Sequence, residues 1–218
     1  MVALGEALPE AIQQLRKDGQ LPARDRTGAI LAGDLHARAD EADVLPVWLA
    51  MEQACRWVAG VAGNHDRIAC NALNGTSARF LDCSTVTLDG IRVGGMGGSV
   101  GAGDGRWVRP ESDYNVELEA LLRQHCDLLV LHDGPNVVGT NLPGWPSVRQ
   151  ALENAPPLLL IRGHDHWPVP LQELANGTQV LNVEGRVVVL QRSTITPLPP
   201  GSSSPPRFRA SASGGSST

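Results

Sequence analysis

Apolar and polar positions follow two rhythms along this chain. Leu8, Ile12 and Leu15 recur at helical spacing between about Gly5 and Lys17, and Asp18-Gly19 stops them. Thr27 to Ala32 is an apolar strand that ends in Gly33-Asp34-Leu35-His36. Asp43 can cap a helix running to about Trp57, with Pro46 near its first turn. The strand Val58 to Ala62 then runs into Gly63-Asn64-His65-Asp66. Val86 to Met96 reads as two strands joined by Asp89-Gly90, a good hairpin turn, and a glycine-rich loop follows from Gly94 to Gly105. Ser112 or Asp113 can cap a helix to about Gln124. Asp127 to Leu131 is a strand with His132 at its end. A Pro/Gly-rich loop (Pro135 to Pro146) leads to a short helix from Ser147 to Asn154. Leu158 to Ile161 is the strand before Gly163-His164-Asp165-His166. Val169 to Ala175, Thr178 to Val183 and Arg186 to Gln191 read as consecutive antiparallel strands, turned by Asn176-Gly177 and Glu184-Gly185.

Strand and helix alternate through the first two-thirds and give way to a meander, which predicts a layered α/β sandwich. The chain has 218 residues and is 42% hydrophobic, enough for one sizeable core and a single domain over residues 1–192. From Ser193 onward it is Pro, Ser and Gly with almost no large apolar residue, so residues 193–218 are expected to be a disordered tail. A net charge of −5 and a pI near 5.6 argue against a nucleic-acid partner, since no basic stripe neutralises phosphates. A metal site would still accept an anionic substrate, because the ions invert the local field. Cys55, Cys70, Cys83 and Cys126 form no C-x-x-C pair. The start lacks a basic segment followed by an apolar one, and no stretch is apolar enough to span a bilayer. The expectation is a cytoplasmic protein with free thiols and no membrane partner.

Four strand ends carry polar residues in chain order: Asp34, then Asn64-His65, then His132, then His164 with His166. Imidazole, amide oxygen and carboxylate are metal-ligand chemistry. Strand C-terminal ends are where open α/β sheets place ligands. A lone strand-end histidine is more often a hydrogen-bonded structural residue, and Gly-Asp alone is commonly a turn. All of them at the same kind of strand end point to a metal-dependent hydrolase.

These strings resemble the calcineurin-like metallophosphoesterase family, whose blocks are D-x-H, G-D, G-N-H-[DE], a strand-end His and G-H-x-H. Four of the five stand here in order, between about Thr27 and Gln191. The resemblance implies a four-layer α/β/β/α sandwich and two divalent ions, manganese, iron or zinc. It implies that Asp34 bridges both ions, that Asn64, His132 and His164 hold one of them, and that His166 binds the other. His65 would stand beside the scissile phosphate to support the transition state or protonate the leaving oxygen, and Asp66 would orient His65. The reaction implied is attack of metal-bound hydroxide on a small phosphomonoester or diester. The physics agrees: two dications about 3.5–4 Å apart clamp a phosphate and lower the pKa of a shared water towards roughly 7. They also need an anion between them.

The D-x-H block has no clear match. The helix expected after it is present, and the sequence starts directly before that helix. In one reading the first strand is missing and Asp34 is the bridging residue. In the other, Asp34-Leu35-His36 is itself D-x-H and the bridging carboxylate is lost. The roughly thirty residues from Asp34 to Asn64 hold one helix and one strand, which favours the first. The polar turn with Asp40, Glu41 and Asp43 offers no extra strand. His36 shares a face with Asp34 if the strand persists, and could serve the depleted ion; the plain alternative is a solvated loop histidine. Either way one metal site is impaired, which leaves room for a weak or inactive relative that keeps the fold for binding.

Gly97-Gly98-Ser99-Val100-Gly101 matches the G-x-S-x-G of serine hydrolases, but no helix pattern follows it. Arg106, Arg109 and Tyr114 are candidate substrate contacts, with solvated loop arginines as the plain alternative. Trp167 could wall the pocket, or could simply be core.

Overall fold

The computed structural model describes residues 4–36, 42–69, 71–103, 105–191 and 209–211. In chain order the elements are α1 (Leu4–Lys17), β1 (Gly28–Ala32), β2 (Ala42–Asp43), α2 (Leu45–Ala54), β3 (Trp57–Val61), β4 (Asp66–Arg67), β5 (Ala78–Phe80), β6 (Ser84–Leu88), β7 (Ile91–Met96), β8 (Ser99–Val100), β9 (Val108–Arg109), α3 (Glu111–Leu122), β10 (Leu128–Leu131), α4 (Pro146–Glu153), β11 (Leu159–Arg162), β12 (Leu171–Glu173), β13 (Gln179–Asn182), β14 (Val189–Gln191) and β15 (Arg209–Ser211). None of the described helices is long and apolar enough to cross a membrane.

Two sheets lie face to face, with a helical layer outside each. The first is parallel, in the order β1-β3-β5; the second is mixed, in the order β12-β13-β11-β10-β7-β6. Side-chain alternation builds the layers. On β10, Leu128 and Val130 point into the core between the sheets, while Leu129 and Leu131 join the layer under α3 and α4. On β3, Ala59 and Val61 face the second sheet, and Val58 faces Trp48 and Met51 of α2. Arginines close the C-terminal end of α2, where carbonyls lack helical partners. Arg16 donates to the Ala54 carbonyl at 2.7 Å, and Arg24 donates to Gln53 and Glu52 at 2.7 and 3.0 Å. This is the α/β/β/α sandwich that the pattern and the resemblance predict.

Three local readings change. α2 ends at Ala54 rather than Trp57: Arg56 donates its N–H to the Thr27 carbonyl at 2.8 Å, and the chain turns at once into β3. Gly94 and Gly95, where the strand reading to Met96 and the loop reading from Gly94 overlap, lie in strand β7. A side chain at Gly95 would put its Cβ 2.6 Å from the Leu81 Cβ, so the sheets meet there only because that position is bare. The final meander stops at two strands. β12 and β13 pair antiparallel, but β13 pairs parallel with β11 on its other side, and β14 pairs with β15. Residues 209–211 therefore form a strand within the segment read as a tail; the rest of that segment lies outside the described residues, as does Cys70. Cys55, Cys83 and Cys126 are free.

Candidate metal centre

β1, β3, β10 and β11 are parallel strands whose C-terminal ends lie together, two in each sheet. Backbone hydrogen bonds tie these tips to one another. Gly98 donates to Ala62 at 2.8 Å, His132 to Met96 at 3.4 Å, and Gly163 to His132 at 3.1 Å. The residue after each tip is thereby aimed at one point.

His132 stands at that point, fully buried. Its Nδ1 lies 2.8 Å from the Ala32 carbonyl, an acceptor only, so Nδ1 carries a proton and Nε2 is the nitrogen that either a second proton or a metal ion can take. Around Nε2 stand Asn64 Oδ1 at 3.0 Å, Asp34 Oδ2 at 3.2 Å and His164 Nδ1 at 3.2 Å. The Asn64 oxygen, the Asp34 carboxylate and the Nε2 lone pair are acceptors, and a ring nitrogen of His164 joins them. A proton or a metal cation resolves such a cluster. Four ligands about 2.0–2.2 Å from a tetrahedral ion stand roughly 3.3–3.6 Å apart, close to this spacing. Asp34, His132 and His164 have ligand atoms within 4.8 Å of one another.

The backbone is strained where it delivers two of these groups. Asp34 has φ +48 and His164 has φ +66, the left-handed region that side chains rarely adopt. A reciprocal clasp holds the Asp34 turn. Asp66 Oδ2 accepts from the N–H of Asp34 at 3.0 Å and of Gly63 at 2.8 Å; Asp66 Oδ1 accepts from Leu35 at 3.1 Å. Asp34 Oδ1 accepts in return from the His65 N–H at 3.0 Å. Gly63 must be glycine, because a Cβ there would run into the Asp34 carboxylate.

Burial raises the Asp34 carboxyl, but the hydrogen bond and charge of His132 and the His65 N–H outweigh it and hold the group below its ordinary value. Burial lowers His132, and the hydrogen bond and charge of Asp34 more than reverse that, so its imidazolium persists above the ordinary histidine range. Asp66 moves up, pushed by burial and by the Asp34 charge against its backbone donors.

The other expected site residues fall elsewhere. Asp66 does not orient His65: among the described residues its carboxylate bonds go to backbone N–H groups. Its buried position, needed to hold the turn, leaves the half-buried His65 ring to itself. His166 is exposed and outside the ligand group; its ring nitrogens lie 3.2 and 3.4 Å from Arg186 Nη2. His36 is half-buried and also outside the group. A second grouping of Asp133, His164 and Asp165 shares His164 with the first. Asp133 is already spent there, accepting from Val100, Gly134 and Trp145. Sequence reasoning passed over both Asp133 and Arg186; the first directly follows His132, and that adjacency was the available clue.

Ser99 sits buried in the two-residue strand β8, paired with β9 and followed by no helix, so the elbow geometry of a serine nucleophile is absent. Arg109 and Tyr114 act as braces. Arg109 pairs with Asp82 at 2.7 Å and Glu117 at 2.9 Å, and the buried Tyr114 donates to the Asp133 carbonyl. Arg106 lies over the Trp107 ring. Trp167 is core, with its Nε1 bonded to Pro143.

No curated protein sequence matches the chain. Among solved structures it is similar to the protein TT1561 of Thermus thermophilus, with a TM-score of 0.64 at 20% identity over 82% of this chain and 83% of that one. At that identity the likeness shows the fold. The family model for calcineurin-like phosphoesterases, which are metal-dependent, matches residues 6–168. The chain belongs to the calcineurin-like phosphoesterase family.

Proposed function

We propose that this chain hydrolyses a small phosphomonoester or phosphodiester at a divalent ion held by Asp34, Asn64, His132 and His164. One observation carries the reading: the Nε2 lone pair of a buried, tautomer-fixed histidine meets two acceptor oxygens and a second ring nitrogen at 3.0–3.2 Å. A bound manganese, iron or zinc ion would act as a Lewis acid on a phosphoryl oxygen and make water a better nucleophile. Asp34 orients its Oδ2 towards that point and lowers the net charge there. The Asp34–Asp66 clasp keeps the turn rigid, and Ala32 fixes the His132 ring. His65, half-buried on the turn that also carries Asn64, is the group we assign to the leaving oxygen, where an imidazole N–H can serve as general acid.

A second reading, a fold kept for binding with little turnover, has one observation in its favour: His166 is engaged by Arg186 instead of joining the ligand group. Hydrolysis of an aryl phosphate by the purified chain decides between them. We expect manganese-dependent turnover, slow beside that of a relative with two complete metal sites. EDTA and His65→Ala each reduce it by at least about a hundredfold, and Ser99→Ala leaves it within twofold. No turnover above the metal-only blank refutes catalysis, and EDTA-resistant turnover refutes the metal.

A further inference from the structure

The end of β13 brings an arginine to the loop that carries His164 and His166. Asn182 Nδ2 donates to the Asp165 carbonyl at 2.7 Å, and the Val183 N–H donates to the Arg162 carbonyl at 2.8 Å. The chain then turns at Glu184-Gly185, with Gly185 at φ +65. Arg186 folds back. Its Nη2 donates to the Trp167 carbonyl at 2.8 Å and lies 3.2 Å from His166 Nε2. A ring nitrogen that faces a guanidinium N–H directs its lone pair there and not at a metal ion. Among the described residues, His166 therefore does not fit the role of ligand to a second ion.

Two further observations suggest what the guanidinium is for. Arg186 Nη1 is covered and has no acceptor among the described residues. Nη1 of this permanently charged group is left with an unfilled, covered N–H pair, and buried donors seldom go without an acceptor. His166 also forms part of the wall of an open cleft of about 410 Å³ with Thr140, Leu142, Pro143 and Val169. An anion entering that cleft meets His166, whose Nε2 lies 3.2 Å from Arg186 Nη2.

We propose that Arg186 supplies the second positive charge of this centre. One divalent ion sits with Asp34, Asn64, His132 and His164, and the Arg186 guanidinium, in place of a second ion, binds a non-bridging oxygen of the substrate's phosphoryl group. The inference rests on the metal centre proposed above. Arg186 keeps its proton throughout, and its planar fork suits phosphate oxygens better than an ammonium would.

The test uses the full chain loaded with manganese, as wild type and as Arg186→Ala, Arg186→Lys and His166→Ala. Metal content and electron paramagnetic resonance report the number of ions; calorimetric titration with orthophosphate reports the anion site. We expect one uncoupled manganese ion per chain in all four. Orthophosphate binding weakens about tenfold or more in Arg186→Ala, and less in Arg186→Lys. Two spin-coupled ions in the wild type, with the second lost in His166→Ala, overturn the proposal. So does orthophosphate affinity unchanged in both arginine variants. A wild type that binds no manganese overturns the metal centre itself, and this inference with it; that result is distinct from a one-ion protein whose phosphate affinity ignores Arg186.

Discussion

His164 and His166 are two residues apart and meet different fates. The first joins Asp34 and Asn64 around His132 Nε2; the second is exposed and held by Arg186. Backbone anchorage makes the difference. Asp34, Asn64, His132 and His164 each lie within three residues of a strand tip, and backbone bonds stitch those tips together. His166 lies past that stitching, where its direction is set by whatever side chain meets it. Preorganisation of the candidate metal site thus comes from the hydrogen-bonded sheet ends, and closeness in sequence does not confer it.

The strongest way to break this comparison is to remove one ligand from each region. Asp34→Asn takes away the anionic ligand while keeping the turn's shape. We expect its manganese dissociation constant to rise by at least about a hundredfold, roughly 2.7 kcal/mol. His166→Ala is expected to change it by less than about threefold. Equal losses by titration calorimetry would mean that both regions grip the ion.

Stability sharpens the same contrast. Asp66 touches no ligand ring, yet it accepts three backbone N–H bonds that hold the left-handed Asp34 turn. Replacing it with alanine leaves those buried donors without their acceptor. We expect Asp66→Ala to cost about 2 kcal/mol or more in urea unfolding, and to weaken manganese binding because Asp34 loses its fixed direction. A variant as stable as the parent would show that water or a rearranged turn replaces the clasp.

The layered fold, and the convergence of Asp34, Asn64, His132 and His164 on one point, were legible in the sequence for one reason. Parallel strands buried on both faces read as short apolar runs, and the residue types just beyond them are chemically distinctive. Asp34 through His164 could be placed from that alone. What stayed hidden depends on contacts between distant segments. Asp66 follows His65 in the chain, but two of its three bonds go to a turn some thirty residues away. Arg186 looked like the first residue of a third meander strand. That reading failed because β13 is already paired on both sides, so nothing was left for the next segment to add to. Gly94-Gly95 read as strand end and loop start at once, because a bare strand position is defined by what lies across from it, here Leu81 and Val61. None of these has a periodicity to detect.

Proton competition provides a finer test of where the ion sits. In the metal-free chain Asp34 is held below its ordinary value and His132 above its own, mainly by each other against the effect of burial. The raised His132 contributes stability that is fully present below about pH 6.5 and is lost as pH rises through its folded-state pKa. The depressed Asp34 contributes stability above its ordinary range and loses it only in acid. Over neutral pH the metal-free chain therefore loses the His132 contribution as pH increases. An ion at Nε2 takes the place of that proton, so its affinity should fall about tenfold per pH unit below the same pKa, with one proton released per ion bound. The rise in melting temperature on adding manganese should accordingly widen from about pH 5.5 to about pH 8.5. His166→Ala should leave this profile in place, because that ring stands outside the acceptor cluster. A manganese increment that stays flat across the range would put the ion somewhere other than His132 Nε2, and the two histidines of the G-H-x-H string would then have to exchange roles.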